Sequence, residues 1–215
     1  GSLSMPRPSS LKAPVLIFLF LALALALVKG PVLLAEEPTP WCLTPEELHS
    51  QAAILMDAET GQILFEKNMH ESLPPASITK ILTALIAIEE GQLEDQVLMS
   101  REAVFSIPRG SSHIALDEGE VLPLSEALYA MMLVSANDAA NGIAEHIGGT
   151  LPDFVKKMND TAQELGAKNS YFLNPSGLDE EGHLTSAYDM ALITRAAMAL
   201  PEFNTIWGTP LREMP

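Results

Sequence analysis

The pair Pro74-Pro75 divides the hydrophobic patterning of this chain into two regimes. Before it, Ala52 to Asp57 (AAILMD) and Gln62 to Lys67 (QILFEK) flank the turn residues Glu59-Thr60-Gly61. That pattern predicts a β-hairpin whose first strand is buried. After the prolines, Ile78, Ile81, Leu82, Leu85 and Ile88 recur at helical spacing. A helix is predicted from about Ser77 to Glu90, with Gly91 at the C′ position. A second helix is predicted from about Ser125 to Val134, and a third after Ser135-Ala136-Asn137-Asp138 as far as Gly148-Gly149. A fourth has Pro152 in its first turn and Gly166 past its end. A fifth starts at a capping-box-like Ser186/Asp189 and stops at Pro201. Residues 97–124 are mixed, with turn signals at Pro108-Arg109-Gly110 and Glu118-Gly119. A hairpin followed by a helix-rich segment places the chain in the α+β (mixed α/β) class.

The first 35 residues follow a different logic. Arg7 and Lys12 precede an unbroken apolar run of 14 residues, Val15 to Val28, and no acidic residue occurs before Glu36. A basic start and a short apolar run predict a secretory signal peptide over residues 1–35. A membrane-spanning helix needs about 20 apolar residues. Cleavage is expected after Ala35, although Leu33 is large for its position relative to that site; an uncleaved leader would tether the chain to a membrane. The leader explains a mean hydropathy of +0.18 in a chain with formal net charge −16. Its loss removes three positive charges and leaves −19. Such acidity offers no footprint for nucleic acid and is repelled by anionic lipid surfaces. One cysteine, Cys42, excludes an internal disulfide framework and any cysteine-rich zinc site. Residues 36–50 read as a linker, rich in Pro and Glu at their start. The expectation is an exported acidic globular domain, acting in the periplasm or at the cell surface.

Two constellations can carry chemistry. Ser77 and Lys80 stand three residues apart at a helix start, on one face. A serine hydroxyl is a weak nucleophile until a neighbouring base takes its proton. A lysine is such a base when burial or nearby positive charge lowers its pKa. The same pair also describes a capping serine with a surface lysine. Ser9 and Lys12 repeat the spacing inside the leader, where it has no catalytic meaning. The second constellation is Ser135-Ala136-Asn137, between two predicted helices. There Ser135 can relay a proton and Asn137 can hydrogen-bond a substrate amide, or Asn137 or Asp138 can simply cap the next helix.

In context the two motifs resemble one family. MDAETGQILFEKN with LPPASITKILTALIAIE resembles the start of the low-molecular-weight penicillin-binding proteins, the serine D-Ala-D-Ala carboxypeptidases of peptidase family S11. LYAMMLVSANDAANGIAEHIGG and FVKKMNDTAQELGAKNSYFLNPSGLDEEGHLTSAYDMALITRAAM extend the likeness, from about Ala52 to Ala199. Motifs of the Ser-x-x-Lys, Ser-x-Asn and Lys-Thr-Gly type mark such acyl-serine enzymes. The resemblance implies a β-lactamase/transpeptidase-like fold over residues 51–215, a helical subdomain with an incomplete antiparallel sheet. It implies Ser77 as the acylated nucleophile, Lys80 as its base, Ser135 in proton transfer and Asn137 on the substrate amide. The Ser77 N–H would form half of an oxyanion hole. The implied partners are a peptidoglycan stem peptide ending in D-Ala-D-Ala and β-lactam antibiotics as covalent inhibitors. No metal or cofactor is implied. His49, His70, His113, His146 and His183 then read as structural or surface residues.

The departure from the family is the third motif. No lysine follows Lys168, so Lys-Thr-Gly is absent from these 215 residues. In the family it supplies a cation for the substrate carboxylate and a strand edge for the second oxyanion N–H. The chain therefore reads as truncated before that motif, with little carboxypeptidase activity expected of it alone. Two rivals are a class A β-lactamase and a non-catalytic cell-wall binding homologue. Against the first, NSYFLNPSGLDEEG lacks Glu-x-x-Leu-Asn, and neither Glu180 nor Glu181 matches the deacylating glutamate.

Overall fold

The structure, a computed structural model, describes residues 44–213. The expected leader, Cys42 and the first part of the expected linker lie outside the described residues. Strands β1 (Ala53–Met56) and β2 (Ile63–Lys67) form the predicted antiparallel hairpin. Ala53 faces Lys67 and Leu55 faces Phe65, with an irregularity between Leu55 and Met56. Its turn is closed by Asp57, whose carboxylate accepts from the Thr60 N–H and hydroxyl, both at 2.7 Å. The expected burial of β1 is not found: Leu55 is 56% exposed and Leu64, across the turn, 58%. Beyond its partner strand, β1 packs against one helix, α6 (Ala187–Met198), and that covers only part of a two-stranded sheet.

The helix expected from Ser77 divides in two. Ala76–Thr79 is a 3-10 turn, and α1 (Lys80–Glu90) follows directly. Every residue from Lys80 to Ala87 is buried. A helix that is apolar all round belongs in the interior. Accordingly α1 packs against α3 (Leu124–Leu133), α4 (Asn137–Gly148), α5 (Leu151–Glu164), α6 and α7 (Pro201–Trp207). Gly91 does not take the left-handed C′ conformation expected of it, since its φ is −102°. It is needed for closeness instead. A Cβ there would lie 2.6 Å from Leu124 Cδ2 and 2.9 Å from Ile147 Cδ1.

Residues 97–124 resolve into elements too short for periodicity to reveal. They are β3 (Gln96–Leu98), α2 (Arg101–Phe105) and β4 (Val121–Pro123), with β3 and β4 antiparallel. The caps of α5 and α6 act as side-chain acceptors: Thr150 takes the Asp153 N–H, and Ser186 the Asp189 N–H at 3.1 Å. Pro201, expected only as a stop, also opens α7 at the first-turn position where its missing N–H costs nothing. Among the described residues the architecture is mixed α+β, with a helical layer around α1 and two small antiparallel sheets. Among the described residues no helix is long and apolar enough to cross a membrane.

Candidate active site

The 3-10 turn sets the first pair. In a 3-10 helix residues i and i+3 eclipse one another. Ser77 and Lys80 occupy those positions, and Lys80 Nζ lies 3.4 Å from Ser77 Oγ. Ser77 is exposed, whereas Lys80 is only 2% exposed. Neither plays the capping or surface role that the spacing alone allows. Pro75 caps the turn and Thr79 precedes α1, both without a side-chain cap bond.

A buried amine must find acceptors. Lys80 Nζ donates to Asn137 Oδ1 at 2.8 Å and to the Ser176 carbonyl at 2.6 Å. All its partners are neutral. Among the described residues no carboxylate pairs with it. Burial without a counter-charge penalises the ammonium, and the pKa of Lys80 falls from 10.5 to about 8. This is the condition under which a lysine accepts a proton near neutral pH.

The second pair arrives across the fold. Ser135 Oγ donates to Ser77 Oγ at 2.9 Å. Ser135 has φ +60°, and Ala76, next to Ser77, has φ +50°. A left-handed non-glycine residue costs of order 1 kcal/mol or more, and such positions cluster at functional sites. Asn137 opens α4 from a buried position, with its N–H on the Ser112 carbonyl at 2.9 Å. Its side chain does not cap the helix, whose N-cap is Ala136. Asp138 is not the N-cap either, although its Oδ1 accepts the first-turn Ala139 N–H at 2.9 Å. It accepts the N–H of Leu116 at 3.1 Å and that of Ile114 at 3.3 Å, tying the preceding loop to α4. The structure thus brings Ser77, Lys80, Ser135 and Asn137 into one hydrogen-bonded cluster.

Two contributors were missed by sequence reasoning. The Ser176 carbonyl acts through its backbone, which no residue identity announces. Thr79, between Ser77 and Lys80, meets buried His183: Oγ1 lies 3.0 Å from Nε2. The Leu173 N–H donates to His183 Nδ1 at 3.0 Å, which assigns a neutral ring whose Nε2–H donates to Thr79. Burial lowers the His183 pKa below the ordinary 6.5, against the opposing fields of Glu180 and Asp179. The other four histidines are exposed; His70 lies against Tyr188, and His146 pairs with Asp95.

Known proteins resemble this chain in sequence and fold. The sequence model of the peptidase S11, D-alanyl-D-alanine carboxypeptidase family matches residues 39–213. The chain is 41% identical over 172 residues to the D-alanyl-D-alanine carboxypeptidase DacF of Bacillus subtilis, covering 77% of this chain and 43% of the relative. It is 35% identical over 186 residues to DacD of Escherichia coli, covering 81% and 47%. Penicillin binding protein 6B of Escherichia coli superposes with a TM-score of 0.72 at 33% identity, over 79% of this chain and 56% of that one. A D-alanyl-D-alanine carboxypeptidase structure from Mycobacterium tuberculosis gives 0.70 at 34% identity, over 75% and 60%. The chain spans about half the length of the curated relatives it matches. A match over most of the sequence, relatives above 30% identity and a shared fold agree: the chain belongs to the peptidase S11 family of D-alanyl-D-alanine carboxypeptidases.

Proposed function

We propose that these residues carry the acyl-transfer machinery of a serine-type D-Ala-D-Ala carboxypeptidase. The observation that carries the reading is a buried lysine with no counter-charge beside an exposed serine hydroxyl. Neutral Lys80 takes the Ser77 proton as Oγ attacks the carbonyl of the penultimate D-Ala. Their 3.4 Å separation is of the kind that tightens when substrate is bound. The C–N bond breaks, Ser135 passes a proton to the leaving amine, and terminal D-Ala departs. Water then hydrolyses the acyl-serine. Asn137 holds Lys80 by its Oδ1, and its role on a substrate amide falls to the Nδ2 group. A β-lactam, an amide in a strained ring, would acylate Ser77 in the same way. The site of action is outside the cytoplasmic membrane, with residues 1–35 as export signal, 36–50 as linker and 51–215 as part of the catalytic domain. An uncleaved leader would keep the protein at the membrane surface.

The test is incubation of the purified 215-residue polypeptide with labelled penicillin, read by intact-mass and peptide mapping. A slow-forming, stable adduct on Ser77 is expected, and Ser77→Ala should take none. Labelling that survives Ser77→Ala would reassign the nucleophile. Rapid turnover of the drug would favour a β-lactamase, and no adduct a binding protein. Release of D-Ala from a stem peptide is expected to be weak, because these residues contain no Lys-Thr-Gly to meet the substrate carboxylate.

A further inference from the structure

Lys80 is held from the far side by a loop that the catalytic motifs do not include. The Ser176 carbonyl is its shortest contact, at 2.6 Å. That carbonyl belongs to a turn, Asn174-Pro175-Ser176-Gly177-Leu178, organised by one side chain. Asn174 Oδ1 accepts from Gly177 N–H at 2.8 Å, Leu178 N–H at 3.1 Å, Ser176 Oγ at 3.2 Å and Ser176 N–H at 3.3 Å. Its Nδ2 donates to the Leu178 carbonyl at 2.9 Å and to Glu180 Oε2 at 3.3 Å. The turn is also seated directly against Ala76, the residue before Ser77. Gly177 has φ +79°, and a Cβ there would fall 1.8 Å from the Ala76 carbonyl oxygen. Thr83, one turn further along α1, donates to the Pro175 carbonyl at 2.7 Å.

We propose that Asn174 is a positioning residue for the base: by folding residues 174–178 into this turn it aims the Ser176 carbonyl at Lys80 Nζ and keeps water from the amine. The assignment rests on the acyl-transfer reading above. Asn174 touches neither Ser77 nor Lys80 and acts through the backbone it organises. Ser176 contributes only its carbonyl, since its hydroxyl is engaged by Asn174. The charged groups of this loop, Asp179 and Glu180, are exposed, and neither bonds to Lys80. Lys80 owes its lowered pKa to burial, so a loosened loop that admits water returns it toward 10.5.

The experiment measures two quantities on the 215-residue chain: the rate of Ser77 acylation by excess labelled penicillin, and the titration of the Lys80 side chain by NMR with labelled lysine. Misplacing a positioned catalytic group costs about 10–100-fold, and that slowing is expected for Asn174→Ala. Its Lys80 midpoint should rise from about 8 toward 10.5. Asn174→Asp keeps the Oδ acceptor for the turn but loses both Nδ2 bonds and faces Glu180, so it should recover only part of the rate. Ser176→Ala, which keeps the carbonyl, should stay near wild type. Acylation of Asn174→Ala at the wild-type rate overturns the proposal, and so does a slowed variant whose Lys80 midpoint has not moved. Should Asn174→Ala fail to fold, Asn174→Gln displaces the amide by one methylene, and an unmoved midpoint there overturns the proposal equally. If the wild type takes no label, the acyl-transfer reading fails, while the titrations of wild type and variant still decide on Asn174.

Discussion

Ile81–Ala87 and Ala53–Met56 are both aliphatic-rich in the sequence, yet they end in different solvents. Every residue of the first is buried; none of the second is fully so, and Leu55 keeps 56% of its surface. The difference lies in the neighbours. Five helices enclose α1, while β1 has β2 and α6. Hydrophobic segments supply the tendency to bury, and the number of elements that converge on them decides the outcome. The cluster proposed to be catalytic stands at the better enclosed end: Lys80 is the first residue of α1 and shares its dry surroundings.

The largest effect that tests this contrast is chemical. A positioned general base contributes about 10²–10⁴-fold, so Lys80→Ala should slow Ser77 acylation by that order. In the wild type the rate should rise with pH and level off above about 8, the pKa that burial gives Lys80. A profile flat across that value would separate the base from the buried amine. Next comes stability. Leu82→Ala, in the enclosed helix, should cost about 2–5 kcal/mol in urea unfolding. Leu55→Thr, on the open hairpin, should stay within about 0.5 kcal/mol. Similar losses at both would show that the hairpin is covered in solution.

A smaller effect concerns His183. Its folded pKa lies below 6.5, so the unfolded chain takes up more protons as the pH falls through that value. This contribution to stability is complete above 6.5 and is lost below it. Unfolding at pH 7.5 and 5.5 should show a steeper loss in wild type than in His183→Gln; equal slopes would place the pH response elsewhere. The smallest change expected is at Ala76. Glycine accepts φ +50° without strain, so Ala76→Gly should raise stability by no more than about 1 kcal/mol, net of its extra backbone entropy. A clear loss would mean that the Ala76 methyl is itself a packing contact.

Much of this was legible in the sequence, for identifiable reasons. The hairpin announced itself by Gly61, and α5 and α6 by Pro152, Gly166 and the Ser186/Asp189 pair, all local signals. Periodicity needs several turns, so three-residue strands and the five-residue α2 passed unseen. Ser77, Lys80, Ser135 and Asn137 were legible as motifs because the chemistry proposed for them belongs to their side chains. The burial of Lys80 was not, because it is made by a helix and a loop remote in sequence. Asn-Pro at 174–175 signals no more than a turn in any sequence. What that turn faces is a tertiary fact.

The clamp on the nucleophile's turn has a consequence for the order of assembly. Thr79, Lys80 and Thr83 reach partners at His183, Ser176 and Pro175, which are 104, 96 and 92 positions further along the chain. Closing loops of that length is entropically unfavourable until the contacts they bring are made. Local pieces such as the hairpin and α1 can form while Lys80 is still wet, protonated and harmless. On the acyl-transfer reading, the serine is armed only when the last third of these residues has come home, which makes reactivity one of the final properties the fold acquires.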